Sequence, residues 1–335
     1  MKLDELFCDG AVFAEEKPLR VFGEAEGRVT VRFCGVVAEA VAENGRWIAE
    51  LPAMSAGGPY ELEISADGET VVLKDVYIGR VYLVAGQSNA EFQLSSSNEP
   101  KSSYEDDALL RSFFVKRPWF EDDQFDPGDG WRRAESDGVG AWSAIAYLAG
   151  RETRRSTGKA VGVITCAQGA SVIESWLPAE VSAGYALDKD KLMADHSDPE
   201  YSAWNGGGAI FDSMLSPLFP FSLSGVIWYQ GESDTTVYEG EIYEGELLSL
   251  MRAVREGVRD SALPFAVIQI ADYDGRREND PEGWRAIQHA QARAVGKDPN
   301  ASLVISKDVC ESDCIHPTRK TELSSRAAKA LSVEG

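Results

Sequence analysis

Histidine is scarce in this chain: its 335 residues include 3 histidines, at positions 196, 289 and 316. A mechanism that needs an imidazole base must therefore use one of these three side chains. Cysteine is also sparse, with 5 residues. An odd and small number of cysteines in a chain of this size indicates reduced thiols, which are typical of a cytoplasmic protein.

Positive charge is in short supply as well. The chain has 33 Lys and Arg against 55 Asp and Glu, a formal net charge of −22. Nucleic acids and anionic membranes need a basic surface, so this balance argues against both as partners. No apolar stretch approaches the ~20 residues of a membrane span. The start Met1-Lys2-Leu3-Asp4-Glu5 lacks the apolar segment of a signal peptide. We therefore expect a cytoplasmic location, with secretion still open if a leader has been removed.

Residues 1–76 read as a small β-sandwich domain of immunoglobulin-like type. Short runs of alternating apolar and polar residues, such as Val29–Phe33, Arg46–Leu51 and Tyr60–Ile64, are separated by turn signals. Asn44-Gly45 and Asp67-Gly68 are two of these signals. Short strands at this spacing are typical of a sandwich.

The pattern changes within residues 77–335. Strand-like runs that are apolar on both faces alternate there with stretches of helical periodicity, which predicts a three-layer α/β/α fold with a parallel central sheet. The predicted strands are Val81–Ala85, Val161–Cys166, Gly225–Tyr229, Phe265–Ile270 and Ser302–Ser306. The predicted helices are Tyr243–Val258, Trp284–Val295 and Lys320–Leu331. Residues 95–140 and 178–206 are polar and irregular, and we expect such loops to build a pocket.

Polar residues follow four of these strands, where open parallel sheets bind ligands. The segments are Gly86-Gln87-Ser88-Asn89, Ala167-Gln168-Gly169-Ala170-Ser171, Gln230-Gly231-Glu232-Ser233 and Asp313-Cys314-Ile315-His316. Ser88, His316 and Asp313 supply the nucleophile, base and carboxylate of a serine hydrolase. No Gly-x-Ser-x-Gly sequence surrounds Ser88, so the common α/β-hydrolase motif does not fit.

The oxyanion of such a reaction needs fixed N–H donors, which the backbone of Ser88 and of Gly169, with a side-chain amide, would supply. The site is then complete without a cofactor or metal. A metal site at Cys310, Cys314 and His316 remains an alternative, although a second cluster of ligands is missing from the sequence.

These motifs resemble the SGNH (GDSL-like) hydrolase superfamily and, within it, the sialate O-acetylesterase family. The resemblance rests on Gly86-Gln-Ser-Asn89, Gln168-Gly-Ala170, Glu174-Ser-Trp176, the run Gly225–Glu232 and Asp313-x-x-His316, and it covers nearly the whole chain. It implies that residues 77–335 form an SGNH catalytic domain with the triad Ser88, Asp313 and His316. It also implies that the N–H groups of Ser88 and Gly169 and the Gln230 amide form the oxyanion hole.

The resemblance leaves several roles open. Related acetylxylan esterases use the glutamate of Gln-Gly-Glu to orient the histidine, so Glu232 is a rival of Asp313 for the triad acid. Gln87, Asn89, Glu174 and Trp176 are predicted to contact substrate. The chain departs from the family pattern at Ala90, where methionine is usual, and at Gln168-Gly169-Ala170, where Gly-Gly-Thr is usual.

The function that this reading predicts is hydrolysis of acetyl esters on sugar hydroxyls, as in sialate 9-O-acetylesterases. An esterase for acetylated xylan or other hemicellulose oligosaccharides is the first alternative. A noncatalytic carbohydrate-binding protein is the second, and the intact site residues argue against it. A lipase or thioesterase of the same superfamily would need an exposed apolar patch or lid that this sequence does not indicate. No oligomeric state is specified.

Overall fold

The structure is a computed structural model that describes residues 1–185, 199–274 and 281–332. Its N-terminal region is built from strands β1 (Lys2–Leu3), β2 (Val12–Ala14), β3 (Leu19–Glu24), β4 (Arg28–Phe33), β5 (Val36–Val41), β6 (Arg46–Leu51), β7 (Gly57–Ala66) and the long β8 (Glu69–Gly86). β1, β3 and β6 form one antiparallel sheet. β5, β4, β7 and the first half of β8 pair antiparallel in another. Alternate side chains of β6 are buried, as the sequence pattern predicts for strands with one solvent-facing side.

The second half of β8 belongs to the central sheet. The other strands of that sheet are β9 (Asp107–Phe114), β10 (Arg132–Ala134), β11 (Val161–Ala167), β12 (Gly225–Tyr229), β13 (Phe265–Ile268) and β14 (Ala301–Val304), in the order β10-β9-β11-β8-β12-β13-β14. All neighbours are parallel except β10 and β9. β8 runs without interruption through residue 76, so the predicted domain division there stays a prediction.

Helices cover both faces of the central sheet. They are α1 (Ser88–Glu91), α2 (Ala144–Thr157), α3 (Ala179–Ser182), α4 (Val237–Val258), α5 (Pro281–Lys297) and α6 (Thr321–Ala330). Ile227 of β12 packs in one hydrophobic cluster with α2 and α6, and Trp228 packs in a second cluster with α4 and α5. Successive residues of a strand point to opposite faces, so these clusters are the two sides of the sheet. The predicted three-layer α/β/α fold with an N-terminal β region is confirmed. None of the helices within the described ranges has the length and apolarity of a membrane span.

Strand β9 and helix α2 are the longest elements that the sequence pattern missed. β9 lies in the stretch predicted to be irregular, because Arg111 interrupts its apolar run. In the structure that arginine is buried, and its Nη2 donates to Asp75 Oδ2 at 2.9 Å. A paired charge can be buried where a lone one cannot, and a sequence pattern does not reveal the partner.

The strand order reverses at β8, which places the loop after β8 at the switch point of the sheet. The chain turns sharply there at Gly86, whose φ is +138°. A Cβ at this position would lie 2.0 Å from the Tyr229 carbonyl oxygen, so only glycine fits. Ser88 follows two residues later, at the start of α1.

Candidate active site

Three of the four predicted segments begin side by side. In the sheet, Gly86 at the end of β8 is paired with Ala167 of β11 and with Tyr229 of β12. The loops that carry Ser88, Gly169 and Glu232 therefore leave the sheet at one level. The fourth segment comes from the connection between β14 and α6, and it returns across the sheet edge to place His316 at the same point.

Ser88 and His316 are in contact, with 2.8 Å between Ser88 Oγ and His316 Nε2. In the tautomer that lets Nε2 accept, the serine hydroxyl donates to an unprotonated ring nitrogen. Burial lowers the pKa of His316, and the nearby positive charge of Lys320 lowers it further. Both effects keep the imidazole neutral near pH 7, which is the form that a general base requires.

A cavity of about 970 Å³ opens over this pair. Its wall is rich in aromatic side chains, namely Phe120, Phe125, Tyr201, Trp204, Tyr273 and Trp284. The ring of Trp204 lies 5.5 Å from that of Tyr201 and 5.7 Å from that of Phe120, so the three rings form one packed surface. A concave, largely apolar pocket with a few polar groups is typical of a small-molecule site.

Arg117 is the cation in the described part of the cavity wall, and two carboxylates hold it. Its Nη1 donates to Glu91 Oε2 at 2.9 Å and its Nε to Asp123 Oδ2 at 2.6 Å. The guanidinium also stacks between Phe120 and Phe125, with centroid distances of 4.6 and 5.0 Å. This arginine is neutralised by its own surroundings before any ligand arrives.

Gly169 lies beside Ser88, as predicted, but its N–H is occupied. The group donates to Glu91 Oε2 at 3.1 Å. A Cβ at Gly169 would lie 2.8 Å from Glu91 Oε1 and 3.5 Å from Ser88 Cβ, so a side chain here would crowd the nucleophile. Burial raises the pKa of Glu91, and the charge of Arg117 opposes that shift.

Gln230 occupies a different place from the one predicted. It is fully buried and lies outside the lining of the cavity. Its Nε2 donates to the Ser171 carbonyl at 2.9 Å and to the Asp234 carboxylate, and its Oε1 accepts from the Tyr243 hydroxyl at 2.8 Å. With both N–H groups donated in this way, the amide fastens the loop after β12 and does not point at an oxyanion.

The two rival carboxylates differ in their surroundings. Asp313 is exposed, whereas Glu232 lines the cavity and is 7 % exposed. Burial raises the pKa of Glu232 to about 7, although a hydrogen bond from Asn89 and the charge of Lys320 oppose the shift. Among the described residues, neither carboxylate is hydrogen-bonded to His316. The identity of the triad acid therefore stays a prediction.

The four residues predicted to contact substrate divide into two pairs. Gln87 lines the cavity, and its Oε1 accepts from the N–H groups of Gly231 and Ser233, both at 3.3 Å. Asn89 is buried behind Ser88.

Glu174 and Trp176 lie in the core and not in the pocket. Trp176 packs edge-on against Trp228 at 5.3 Å, and its indole N–H donates to Ser171 Oγ at 3.0 Å. Glu174 is 2 % exposed. A large side chain after a strand can line a pocket or pack in a core, and the sequence alone does not distinguish the two. Here the segment that carries both residues packs against α4.

One group in the described part of the chain has metal-like spacing. Carboxylate oxygens of Glu174, Asp234 and Glu239 lie within 4.8 Å of one another, and all three residues are buried. Each of them is engaged in further interactions. The alternative at Cys310, Cys314 and His316 is not such a group, because the Nε2 of His316 faces Ser88 and the Cys310 thiol faces the Arg319 carbonyl at 3.7 Å.

Comparison with known proteins gives three matches that bear on this site. Residues 78–332 match a family described as carbohydrate esterase, sialic acid-specific acetylesterase. The human sialate O-acetylesterase is 26 % identical over 327 residues, which cover 87 % of this chain and 61 % of the human one. A carbohydrate acetylesterase from Xanthomonas citri has a similar structure, with a TM-score of 0.84 and 31 % identity over 98 % of this chain and 74 % of that one. The chain thus spans about three fifths of the length of its human relative.

Proposed function

Because the chain belongs to the sialic acid-specific acetylesterase family of carbohydrate esterases, we propose that it hydrolyses acetyl esters on sugar hydroxyls, with Ser88 as the nucleophile. The observation that carries this proposal is the 2.8 Å contact between Ser88 Oγ and His316 Nε2 at the base of a cavity. A serine becomes reactive when a neutral imidazole can take its proton.

The reaction follows from this contact in two steps. Ser88 Oγ attacks the acetyl carbonyl carbon while its proton passes to His316 Nε2. The sugar oxygen then leaves with that proton, and the acetyl group stays on Ser88. In the second step His316 takes a proton from water, the resulting hydroxide attacks the acetyl carbon, and the proton returns to Ser88 as acetate departs.

The developing oxyanion needs N–H donors near Ser88. The backbone N–H of Ser88 is one, since the first N–H groups of a helix have no acceptor within it. The N–H of Gly169 is the second, and it becomes available once the Glu91 carboxylate turns aside. We further propose that Asp313 orients His316 when an ester is bound, because catalytic hydrogen bonds often tighten only in the substrate complex.

Two substrate classes fit the site. The name of the human relative supports O-acetylated sialic acids. Arg117 supports neutral acetylated oligosaccharides, such as those of xylan, because Glu91 and Asp123 already bind its guanidinium and leave it little attraction for a sialate carboxylate. In either case the partner is a small or oligomeric acetyl ester.

The experiment is acetate release from a panel of 9-O-acetyl sialic acid, acetylated xylo-oligosaccharides and p-nitrophenyl acetate, with wild type and Ser88→Ala in parallel. We expect turnover of at least one sugar ester, and a loss of ~10⁴–10⁶-fold in Ser88→Ala. Binding of the sugars without release of acetate would instead support a noncatalytic carbohydrate-binding protein. Equal activity of the two proteins would remove Ser88 from the mechanism.

The proposed setting is the cytoplasm. All five cysteines are unpaired, and Cys34 and Cys314 are exposed to solvent. A reducing compartment would keep such thiols intact. Titration of the native protein with a thiol reagent immediately after lysis should find both exposed cysteines reactive, and a mixed disulfide at either one would contradict this setting.

A further inference from the structure

Directly behind the nucleophile lies a lysine that no part of the proposed reaction uses. Lys320, just before α6, has no exposed surface. Its Nζ donates to Asn89 Oδ1 at 2.6 Å. The same ammonium lies 5.1 Å from the centroid of the Phe92 ring and 5.0 Å from that of Tyr229. One oxygen and two aromatic faces thus surround the cation.

Asn89 connects Lys320 to the segments that carry the two catalytic residues. Its Nδ2 donates to Glu232 Oε1 at 2.6 Å and to the Ile315 carbonyl at 3.0 Å. Asn89 directly follows Ser88 in the chain, and Ile315 directly precedes His316. The amide therefore ties the backbone beside the nucleophile to the backbone beside the base.

The charge of the lysine determines which way this amide points. An ammonium group has donors only, so it must face the oxygen of Asn89. The two N–H groups of Asn89 are then left for Glu232 and Ile315. An apolar residue at position 320 would leave the Asn89 oxygen buried with no donor.

We propose that Lys320 is a positioning residue of the esterase site, which acts through Asn89 to hold Ser88 and His316 at reacting distance and which places a positive charge behind the imidazole. The proposal rests on the esterase function proposed above. Its two parts make different predictions, one on geometry and one on the charge state of His316.

Several other ionisable groups lie close to Lys320. The groups that act on Lys320 are Cys310, Glu232, Glu311 and Cys314, in addition to His316. Glu311 is held within its own loop, where it accepts from the N–H and the hydroxyl of Thr318. Burial lowers the pKa of Lys320 to about 8, so the ammonium form still predominates at pH 7.

The test compares Lys320→Met, which removes the charge and the hydrogen bond, with Lys320→Gln, which removes the charge and keeps a donor. Lys329→Met is the matched control, because Lys329 is an exposed cation in α6 and changes the net charge equally. The kinetic readouts are kcat, KM and the pH profile of kcat/KM on p-nitrophenyl acetate. The free energy of unfolding is measured for each protein.

Lys320→Met should lower kcat by about 10²-fold with little change in KM, since small displacements of reacting groups cost about that much. Lys320→Gln should recover much of that loss. In both variants the acid limb of kcat/KM should move to higher pH, because a positive charge disfavours protonation of a neighbouring imidazole and its removal raises the histidine pKa. Lys329→Met should leave both readouts at their wild-type values.

A readout that does not need turnover separates this proposal from the esterase proposal. The chain has 3 histidines, so an NMR titration can follow the His316 ring directly once His316→Gln has identified its signal. We expect its pKa to rise in Lys320→Met and Lys320→Gln. If the wild type releases no acetate, the esterase function fails and the titration still tests the lysine. An unchanged titration together with an unchanged kcat in the folded Lys320→Met protein would overturn the proposal.

Discussion

The two sides of Ser88 are built on different principles. Behind it lies a rear network of Asn89, Glu232 and Lys320, in which Asn89 uses its oxygen and both N–H groups. In front of it lies a front wall of Gly169, Glu91 and Arg117, which lines the open cavity. Both contain a carboxylate and a cation, but in the rear network an amide separates the two charges, and in the front wall they are in direct contact.

This difference separates two tasks. A buried amide whose oxygen and N–H groups are all hydrogen-bonded, as those of Asn89 are, rigidifies its surroundings, because each group would be costly to leave unpaired in a low dielectric. The rear network therefore suits the fixing of catalytic distances. The front wall faces the cavity, so its groups can exchange partners with a ligand that enters there. We infer that the rear side sets reactivity and that the front side sets access to the oxyanion donors and to the sugar.

The largest effect expected in this comparison concerns the acid that orients His316. If exposed Asp313 takes that role in the ester complex, Asp313→Asn should lower kcat by ~10³–10⁴-fold, as loss of the correct histidine tautomer does elsewhere. Glu232→Gln, in the rear network, keeps an oxygen that accepts from Asn89. We therefore expect it to lower kcat by less than about 10-fold. Steady-state kinetics of the two amide variants decide between them, and the reverse ranking would assign the triad acid to Glu232.

The free energy of unfolding of Glu232→Gln is a second measurement, which also checks that the variant folds. Burial raises the pKa of Glu232 from 4.5 to about 7, so the folded protein binds more protons than the unfolded chain between these values. The wild type should therefore lose stability as the pH rises from about 4.5 to 7. Glu232→Gln should lack this loss and be more stable at pH 8 by up to about 3 kcal/mol. Urea unfolding at pH 5 and pH 8 measures it.

The sequence motifs identify the residues behind Ser88 far better than those in front of it. Ser88, Asn89, Gln230 and Glu232 stand directly after predicted strands, where topology alone brings them together. The central strands were predictable because both of their faces are apolar. The sequence predicts Lys320 only as the first residue of a helix, since no periodicity distinguishes a buried lysine from an exposed one.

In the front wall Gly169 also follows a predicted strand, but Arg117 and the aromatic side chains that line the cavity with it could not be predicted in this way. Arg117, Phe120 and Phe125 lie in a stretch without periodicity, whereas Tyr273 follows β13 and Trp284 lies in α5, far away along the chain. Loop residues are placed by tertiary contacts and not by local pattern. The signal available was the polar, irregular sequence of residues 95–140 and 178–206, which predicted a pocket but not its lining.

A smaller effect on kcat is expected at Gln230, which lies in the core between the two sides. Because both N–H groups of its amide are donated within the core, Gln230→Ala should destabilise the fold by about 2–3 kcal/mol, as loss of a buried hydrogen-bonding group does. The kcat of Gln230→Ala per folded active site should fall by less than about 10-fold, whereas loss of an oxyanion donor lowers kcat by about 10²–10³-fold. Denaturant unfolding and kinetics normalised with a serine-reactive fluorophosphonate give the two values. A kcat loss of 10²-fold or more, roughly, with unchanged stability would return Gln230 to the oxyanion hole.

The smallest effect is expected at Glu91, and its sign is the informative part. The Glu91 carboxylate accepts from the N–H of Gly169 at 3.1 Å, and that N–H must be released before it can bind an oxyanion. A hydrogen bond to an ionised acceptor is roughly twice as strong as a neutral one, so Glu91→Gln should release Gly169 more readily. It also removes a negative charge next to the site where negative charge develops. We expect kcat to rise by a few-fold, about 1 kcal/mol in activation free energy. Asp123→Asn is the control, because Asp123 binds the same guanidinium without touching Gly169. A rise in both variants would trace the effect to Arg117, and a fall in Glu91→Gln alone would mean that the carboxylate holds Gly169 in its working position.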